Sequence, residues 1–178
     1  MILVPEGKSR VLSYVTLAAG AACAVMAARA ALDLLTLLEV LSTPAFYLSL
    51  VRSTLPVDMP PLAALMVRHT VLFFVFMLLF WSSGLGLALG VLARKEWARR
   101  GAVWMLYLNA AAALLVMGYP WLAVPRPLMY GDVPLAPDFN AAVKTAAAVL
   151  RAVSTLHGGL CLWGGMALDR GAARKEFD

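Results

Sequence analysis

The sequence predicts an all-α fold, an integral membrane four-helix bundle with a short interfacial helix between the first and second spans. Three observations carry that expectation. Of 178 residues, 62% are hydrophobic and 14% are charged, against about 45–50% and about 25% in soluble domains. A soluble globule of this length has no interior able to hide so much apolar surface, so lipid must solvate part of it. Second, the runs 11–28, 71–92, 101–124 and 152–168 contain no Asp, Glu, Lys or Arg. Third, the cations gather at the ends of these runs, which is how topology is set in a multi-pass chain. The whole chain, 1–178, reads as one membrane domain, with spans near 11–31, 70–93, 101–122 and 146–168.

Lys8 and Arg10 precede the first apolar run. That order also describes a secretory signal peptide, and the Ala-rich end of the run offers small residues for cleavage. The apolar character continues to Leu41, past an h-region of about 7–15 residues. The segment is therefore read as a first membrane helix that stays. Within its extension, Arg29 and Asp33 stand at i,i+4 and should face each other. Placed at the headgroups they need no special role; placed inside the membrane they would mark a functional site.

Ser42-Thr43-Pro44 reads as a stop and restart. The helix it starts, 44–54, is too short to span and should lie along the surface. Asp58 is placed to cap the next helix, with Pro60 and Pro61 in its first turn. A single rod from Pro61 to Ala93 would be roughly 50 Å long, beyond a hydrocarbon core of about 30 Å. An outer lobe at 32–69 is the consequence, bearing Glu39, Arg52, Arg68 and His69 at its edges.

The second and third spans are joined by Arg94-Lys95-Glu96-Trp97-Ala98-Arg99-Arg100. Arg94, Lys95, Arg99 and Arg100 are expected to set topology, and Trp97 to anchor at the headgroups. Docking of a partner or of a specific lipid headgroup is the functional alternative. The third span ends near Pro120-Trp121, and Asp138 or Asn140 is expected to cap the fourth helix. Lys144 and Arg151 should snorkel outward, and the tail 169–178 should be polar and frayed. The charge count puts both termini in the cytoplasm.

Small residues should bring helices together, since lipid supplies no hydrophobic drive between them. The expected packing positions are Gly20 and Ala24 on the first helix, and Ser82, Gly86 and Gly90 on the second. On the fourth they are Ser154, Gly158, Cys161 and Gly165. Asn109 is expected to donate a hydrogen bond to a neighbouring helix.

Chemistry is harder to find. The polar candidates are Arg29, Asp33, Glu39, Arg68, His69, Asn109, Arg151 and His157. His69 and His157 lie at different depths, about 25 Å apart along the axis, and so cannot ligate one haem within a chain. His157 and Cys161 share a helix face, but zinc needs three or four ligands. Ser154 and His157 are neighbours, yet no carboxylate is near to orient the ring. The glycines at 84, 86 and 90 lie inside an apolar helix and are not a nucleotide loop. No catalytic residue, metal ligand or cofactor is expected. The net charge of +5 leaves no basic face for nucleic acid. The partners expected are the lipid bilayer and either another membrane protein or a second copy of the chain.

The stretch Gly84-Leu-Gly86 through Gly90, Leu92, Arg94, Lys95, Trp97, Ala98 and Arg99 resembles one in small uncharacterised bacterial four-span membrane proteins. In those families a glycine-rich span exits to a basic turn with Trp-Ala-Arg. The resemblance covers about residues 80–105. It implies a fold and a location, and no catalytic residue. The expected role is that of a non-enzymatic small subunit, scaffold or partner-binding protein of a membrane assembly. A small oligomeric transporter or channel is the alternative, and a lipid or redox enzyme comes third.

Overall fold

The structure is a computed structural model that describes residues 10–41, 60–130, 133–134 and 136–177. The expected surface helix at 44–54 and the Asp58 cap lie outside the described residues. Helix α1 covers Arg10–Leu41, α2 Pro61–Arg68, α3 Thr70–Leu92 and α4 Glu96–Gly118. A 3-10 turn at Pro120–Leu122 follows. Strands β1 (Met129–Tyr130) and β2 (Val133–Pro134) form a small antiparallel pair. Helix α5 runs Pro137–Asp169, and α6 is the single turn Gly171–Arg174. The described residues are all-helical apart from that pair and the connecting turns, and α1, α3, α4 and α5 are long and apolar enough to cross a membrane.

The second span is not one rod from Pro61. The helix breaks at His69, whose φ of −127° and ψ of 44° leave the helical region. The backbone ladder resumes at once, with Phe73 N donating to His69 O at 2.8 Å. The Thr70 hydroxyl donates to Val67 O at 2.9 Å, which covers a carbonyl at the break. The β-branched hydroxyl residue thus satisfies locally what an interrupted helix would leave bare.

Neither Asp138 nor Asn140 caps α5. The N-cap is Ala136 and Pro137 takes the first helical position, where its missing N–H costs nothing. Asp138 lies in the first turn, where its charge suits the helix dipole. Asn140 is buried and turned back over the loop. Leu128 N donates to Asn140 Oδ1 at 2.7 Å, and Asn140 Nδ2 donates to Leu128 O at 2.9 Å.

Helix α1 packs along α3, α5 packs along α4, and α3 joins α4. Among the described residues no other pair of long helices packs at comparable length. Small residues make these approaches. A Cβ on Gly20 would lie 3.3 Å from Ala88 Cβ, and one on Gly84 would lie 3.0 Å from Cys23 Sγ. On the other pair, a Cβ on Gly158 would lie 3.2 Å from Ala113 Cβ, and one on Gly165 would lie 2.8 Å from the Tyr107 ring. Ser154 and Cys161 are buried on the same face, and Ala24 is half-buried on α1.

The expected row Ser82, Gly86 and Gly90 does not hold together. Ser82 and Gly86 are exposed, and nothing lies within 4 Å of a Cβ on Gly86. The buried positions of α3 are Gly84, Ala88, Gly90 and Val91. An i,i+4 row drifts around the helix, whereas a face held against an antiparallel neighbour alternates steps of four and three. Gly84, Ala88 and Val91 follow the latter spacing, and Gly90 meets α4 instead.

The tail is not frayed up to its last described residue. Phe177 is buried, clustered with Val91 and Ala98 and packed against Leu12, Leu87 and Ala102. One aromatic ring after a charged stretch thus seals the end where α1 starts, α3 stops and α4 starts.

Candidate functional site

The densest polar constellation lies at this sealed end. Helix α3 stops in a Schellman motif, with Lys95 N donating to Gly90 O at 2.9 Å and Arg94 N to Val91 O at 3.0 Å. The residue at its left-handed position is usually glycine, and here it is Arg94 with φ 55°. That backbone state costs an L-residue about 1–2 kcal/mol. The side chain accounts for the choice. Arg94 Nη2 donates to Ser13 Oγ at 2.8 Å, and Nη1 pairs with Glu176 Oε2 at 3.2 Å. Its guanidinium lies 5.7 Å from the centre of the Phe177 ring. Only 9% of the side chain is exposed. Arg94 therefore joins the first turn of α1, the end of α3 and the tail.

Arg99 does the same for α4 and α5. Its Nε and Nη2 fork onto the two Glu96 carboxylate oxygens at 2.7 and 2.8 Å. Its Nη1 donates to Leu168 O at 3.1 Å and to Asp169 Oδ1 at 3.3 Å. Leu168 O lies in the last turn of α5, where carbonyls lack a helical donor and a cation complements the dipole. The side chain is only 4% exposed. Arg100 Nε adds a third bond to Glu96, at 2.8 Å to Oε1. Glu96 lies in the turn ahead of the uncharged run 101–124. Hydrogen bonds from Arg99 and Arg100 hold its carboxyl down at about 2.

This arrangement changes what the basic turn can do. Arg94 and Arg99 are turned inward and engaged, Arg100 is exposed and paired, and Lys95 and Trp97 are exposed. The turn is a clamp across the helix ends more than a cluster of open cations. It supplies charge and hydrogen bonds that tie those ends together.

The other polar candidates do not converge. Arg29 Nε and Asp33 Oδ1 lie 3.7 Å apart, as their spacing implies, with side chains 75% and 43% exposed. Glu39, Arg68, His69, Arg151 and His157 are exposed. Asn109 does not reach a neighbouring helix. Its Nδ2 donates to Met105 O at 2.8 Å, four residues back on its own helix. In lipid a self-satisfied amide needs no partner across the interface. His157 Nε2 lies 3.6 Å from Cys161 Sγ. Among the described residues no group of three or more His, Cys, Asp and Glu could hold a metal ion. A groove of about 320 Å³ at the opposite end is lined by Pro61, Leu115, Tyr119, Trp121, Leu122 and Arg126. Glu39, Arg68 and His69 are not part of that lining.

Sequence reasoning missed Ser13, Asp169, Glu176, Phe177 and the loop clasp of Asn140. A signal for Phe177 existed, since it is the one large apolar residue after Leu168. Nothing in the spacing pairs Arg94 with Ser13, which lies 81 positions away. Comparison with protein-family models, with curated proteins and with solved structures found no match for the chain.

Proposed function

We propose that this chain is a non-catalytic membrane protein, a small subunit or scaffold of a membrane assembly, in a bacterial inner membrane with both termini in the cytoplasm. One observation carries the reading. The polar groups with the most hydrogen bonds across elements, Arg94, Arg99, Glu96 and Asn140, are spent on tying helix ends and a loop together. The polar groups left over point outward, from α1 at Arg29 and from α5 at Arg151 and His157. A catalyst or carrier needs its polar groups to meet around one substrate. A subunit needs them on faces that another helix will cover, because ionisable side chains facing lipid are costly.

The orientation rests on the cations of the turn, the tail and the start, against the two acids of the loop at 125–138. The test is purification from the native membrane in mild detergent, with every co-purifying component identified by mass. A stoichiometric membrane partner, or a defined oligomer inert in liposomes, is expected. An oligomer that moves solute across liposomes would overturn the reading in favour of a transporter or channel.

A further inference from the structure

The groove at the end away from the clamp has a definite depth in the bilayer. Counted from Gly101, where the uncharged run of α4 begins, Leu115 lies about 21 Å along the axis and Tyr119 about 27 Å. The hydrocarbon core is about 30 Å thick. The groove therefore opens at its far edge, with Leu115 among acyl chains and Tyr119, Trp121 and Arg126 at the level of the headgroups. Its walls are fixed by backbone bonds and packing. Leu122 N donates to Tyr119 O and Val124 N to Pro120 O, both at 3.0 Å, and these bonds close the 3-10 turn. Pro120 is fully buried, and α2, which begins at Pro61, packs on this turn.

The cation at the groove is set as firmly. Arg126 stands between Pro125 and Pro127, so its backbone is confined to extended forms. Just beyond Pro127, both backbone groups of Leu128 are clasped by the buried Asn140. Among the described residues no hydrogen bond or ion pair holds the Arg126 side chain, which is exposed. It is the only cation between Arg100 and Lys144. None of the lining residues is acidic. The groove thus offers an apolar floor, aromatic rings and a positive charge on a stiff segment. It offers no carboxylate to the ammonium of a zwitterionic headgroup.

We propose that this groove binds one anionic phospholipid of the leaflet away from the clamp. The phosphate sits on the Arg126 guanidinium, which can fork onto two of its oxygens. Part of one acyl chain lies along Leu115, Leu122 and Pro61. A volume of about 320 Å³ is at the low end for ligand sites, which suits part of a chain and excludes a whole lipid. The stiff loop lowers the ordering cost of binding, because the cation is already positioned. The site requires a membrane-spanning chain and no partner protein, so it goes beyond the subunit reading.

The test is native mass spectrometry of the full chain in mild detergent, titrated with phosphatidylglycerol or with phosphatidylcholine of the same acyl chains. One phosphatidylglycerol per chain should be retained, about fivefold more tightly than phosphatidylcholine, as expected for one cation near the headgroups. Arg126→Gln should reduce it to the phosphatidylcholine level, and Arg126→Lys should keep at least half of the preference. Arg151→Gln, an exposed cation outside the groove, should change nothing. Leu115→Trp should weaken both lipids by filling the floor. Arg126 and Leu115 are exposed, so these exchanges leave the fold intact. Equal retention of the two lipids by the native chain, a preference that survives Arg126→Gln, or an equal loss from Arg151→Gln would overturn the proposal. Native-level binding by Leu115→Trp would do the same. A lipid-free dimer that Leu115→Trp dissociates would give the groove to a second copy, and would overturn it too.

Discussion

Gly90→Ala probes the approach of α3 to α4 at the turn between them. A methyl group at this position would collide with Ala98 Cβ and meet two ring carbons of Trp97 at 3.3 Å. Ala98 is fully buried and has no rotamer with which to retreat. The α3 and α4 backbones must therefore part, where Lys95 N closes the turn onto Gly90 O. Overpacking of this kind costs about 1–3 kcal/mol. Alanine recovers up to about 1 kcal/mol over glycine in a helix interior, and less here because Gly90 lies in the last turn of α3. Gly86→Ala is the control. The same exchange one turn earlier meets nothing within 4 Å, so only the propensity gain of up to about 1 kcal/mol remains. At about 2–4 °C per kcal/mol for a chain of this size, the overpacking alone should separate the two unfolding midpoints by about 2–12 °C, with Gly90→Ala the lower. Thermal unfolding in detergent, followed by a thiol-reactive dye that reports exposure of Cys23 and Cys161, gives both numbers. Equal midpoints, or a lower one for Gly86→Ala, would refute the packing argument.

Arg99→Ala should destabilise by about 1–3 kcal/mol, because it leaves Leu168 O unpaired and Glu96 with Arg100 alone, while the exposed Asp169 rehydrates. Arg99→Lys should recover less than half, since an ammonium cannot fork onto the carboxylate; chemical denaturation of both variants against Glu96→Gln measures the coupling. Arg94→Gly should be more stable than Arg94→Ala by about 1–2 kcal/mol, because both lose the guanidinium and only alanine keeps the left-handed strain. Their difference in denaturation midpoint reads that strain directly. Asn140→Leu should cost about 1–3 kcal/mol by leaving Leu128 N and O unpaired, and limited proteolysis should then cut faster between 123 and 136. Glu96 is held below its ordinary 4.5, at about 2. Its contribution is therefore full above about 4.5 and is lost as pH falls toward 2. The unfolding midpoint of the native chain should drop across that window, and Glu96→Gln should flatten the drop.

The spans were legible because lipid imposes one strong rule. A run of about 20 residues without charge has few other uses. The stops were less legible. His69 breaks the second span although no glycine or proline stands there, because Thr70 and the immediate resumption of the ladder make the break cheap. The packing face of α3 alone was read out of phase, by two residues at Ser82 and Gly86 against the buried Gly84 and Ala88. The spacing of Ser82, Gly86 and Gly90 is a regular i,i+4 row, but only the neighbour's position decides which side of a helix is inside. Asn109 shows a similar ambiguity, since an intramembrane amide satisfies itself on its own helix as readily as across an interface.

The basic turn holds the larger lesson. Four cations beside one acid read as an orientation signal, and the sequence offers no hint that two of them are turned inward. The difference lies in their acceptors, which are spread over Ser13, Glu96, Leu168, Asp169 and Glu176. Those acceptors come together only because α1 begins, α3 and α4 meet, and α5 ends at one level. A guanidinium at that level reaches several helix ends at once, which a lysine ammonium on a flexible stem cannot do with fixed geometry. The pattern of residues within the turn follows from this. Arg94 and Arg99 stand where the chain needs a fork, and Lys95 stands where it needs only a solvated charge. With Arg94 and Arg99 spent on the fold, the exposed side chains left on the turn are Lys95, Trp97 and the paired Arg100.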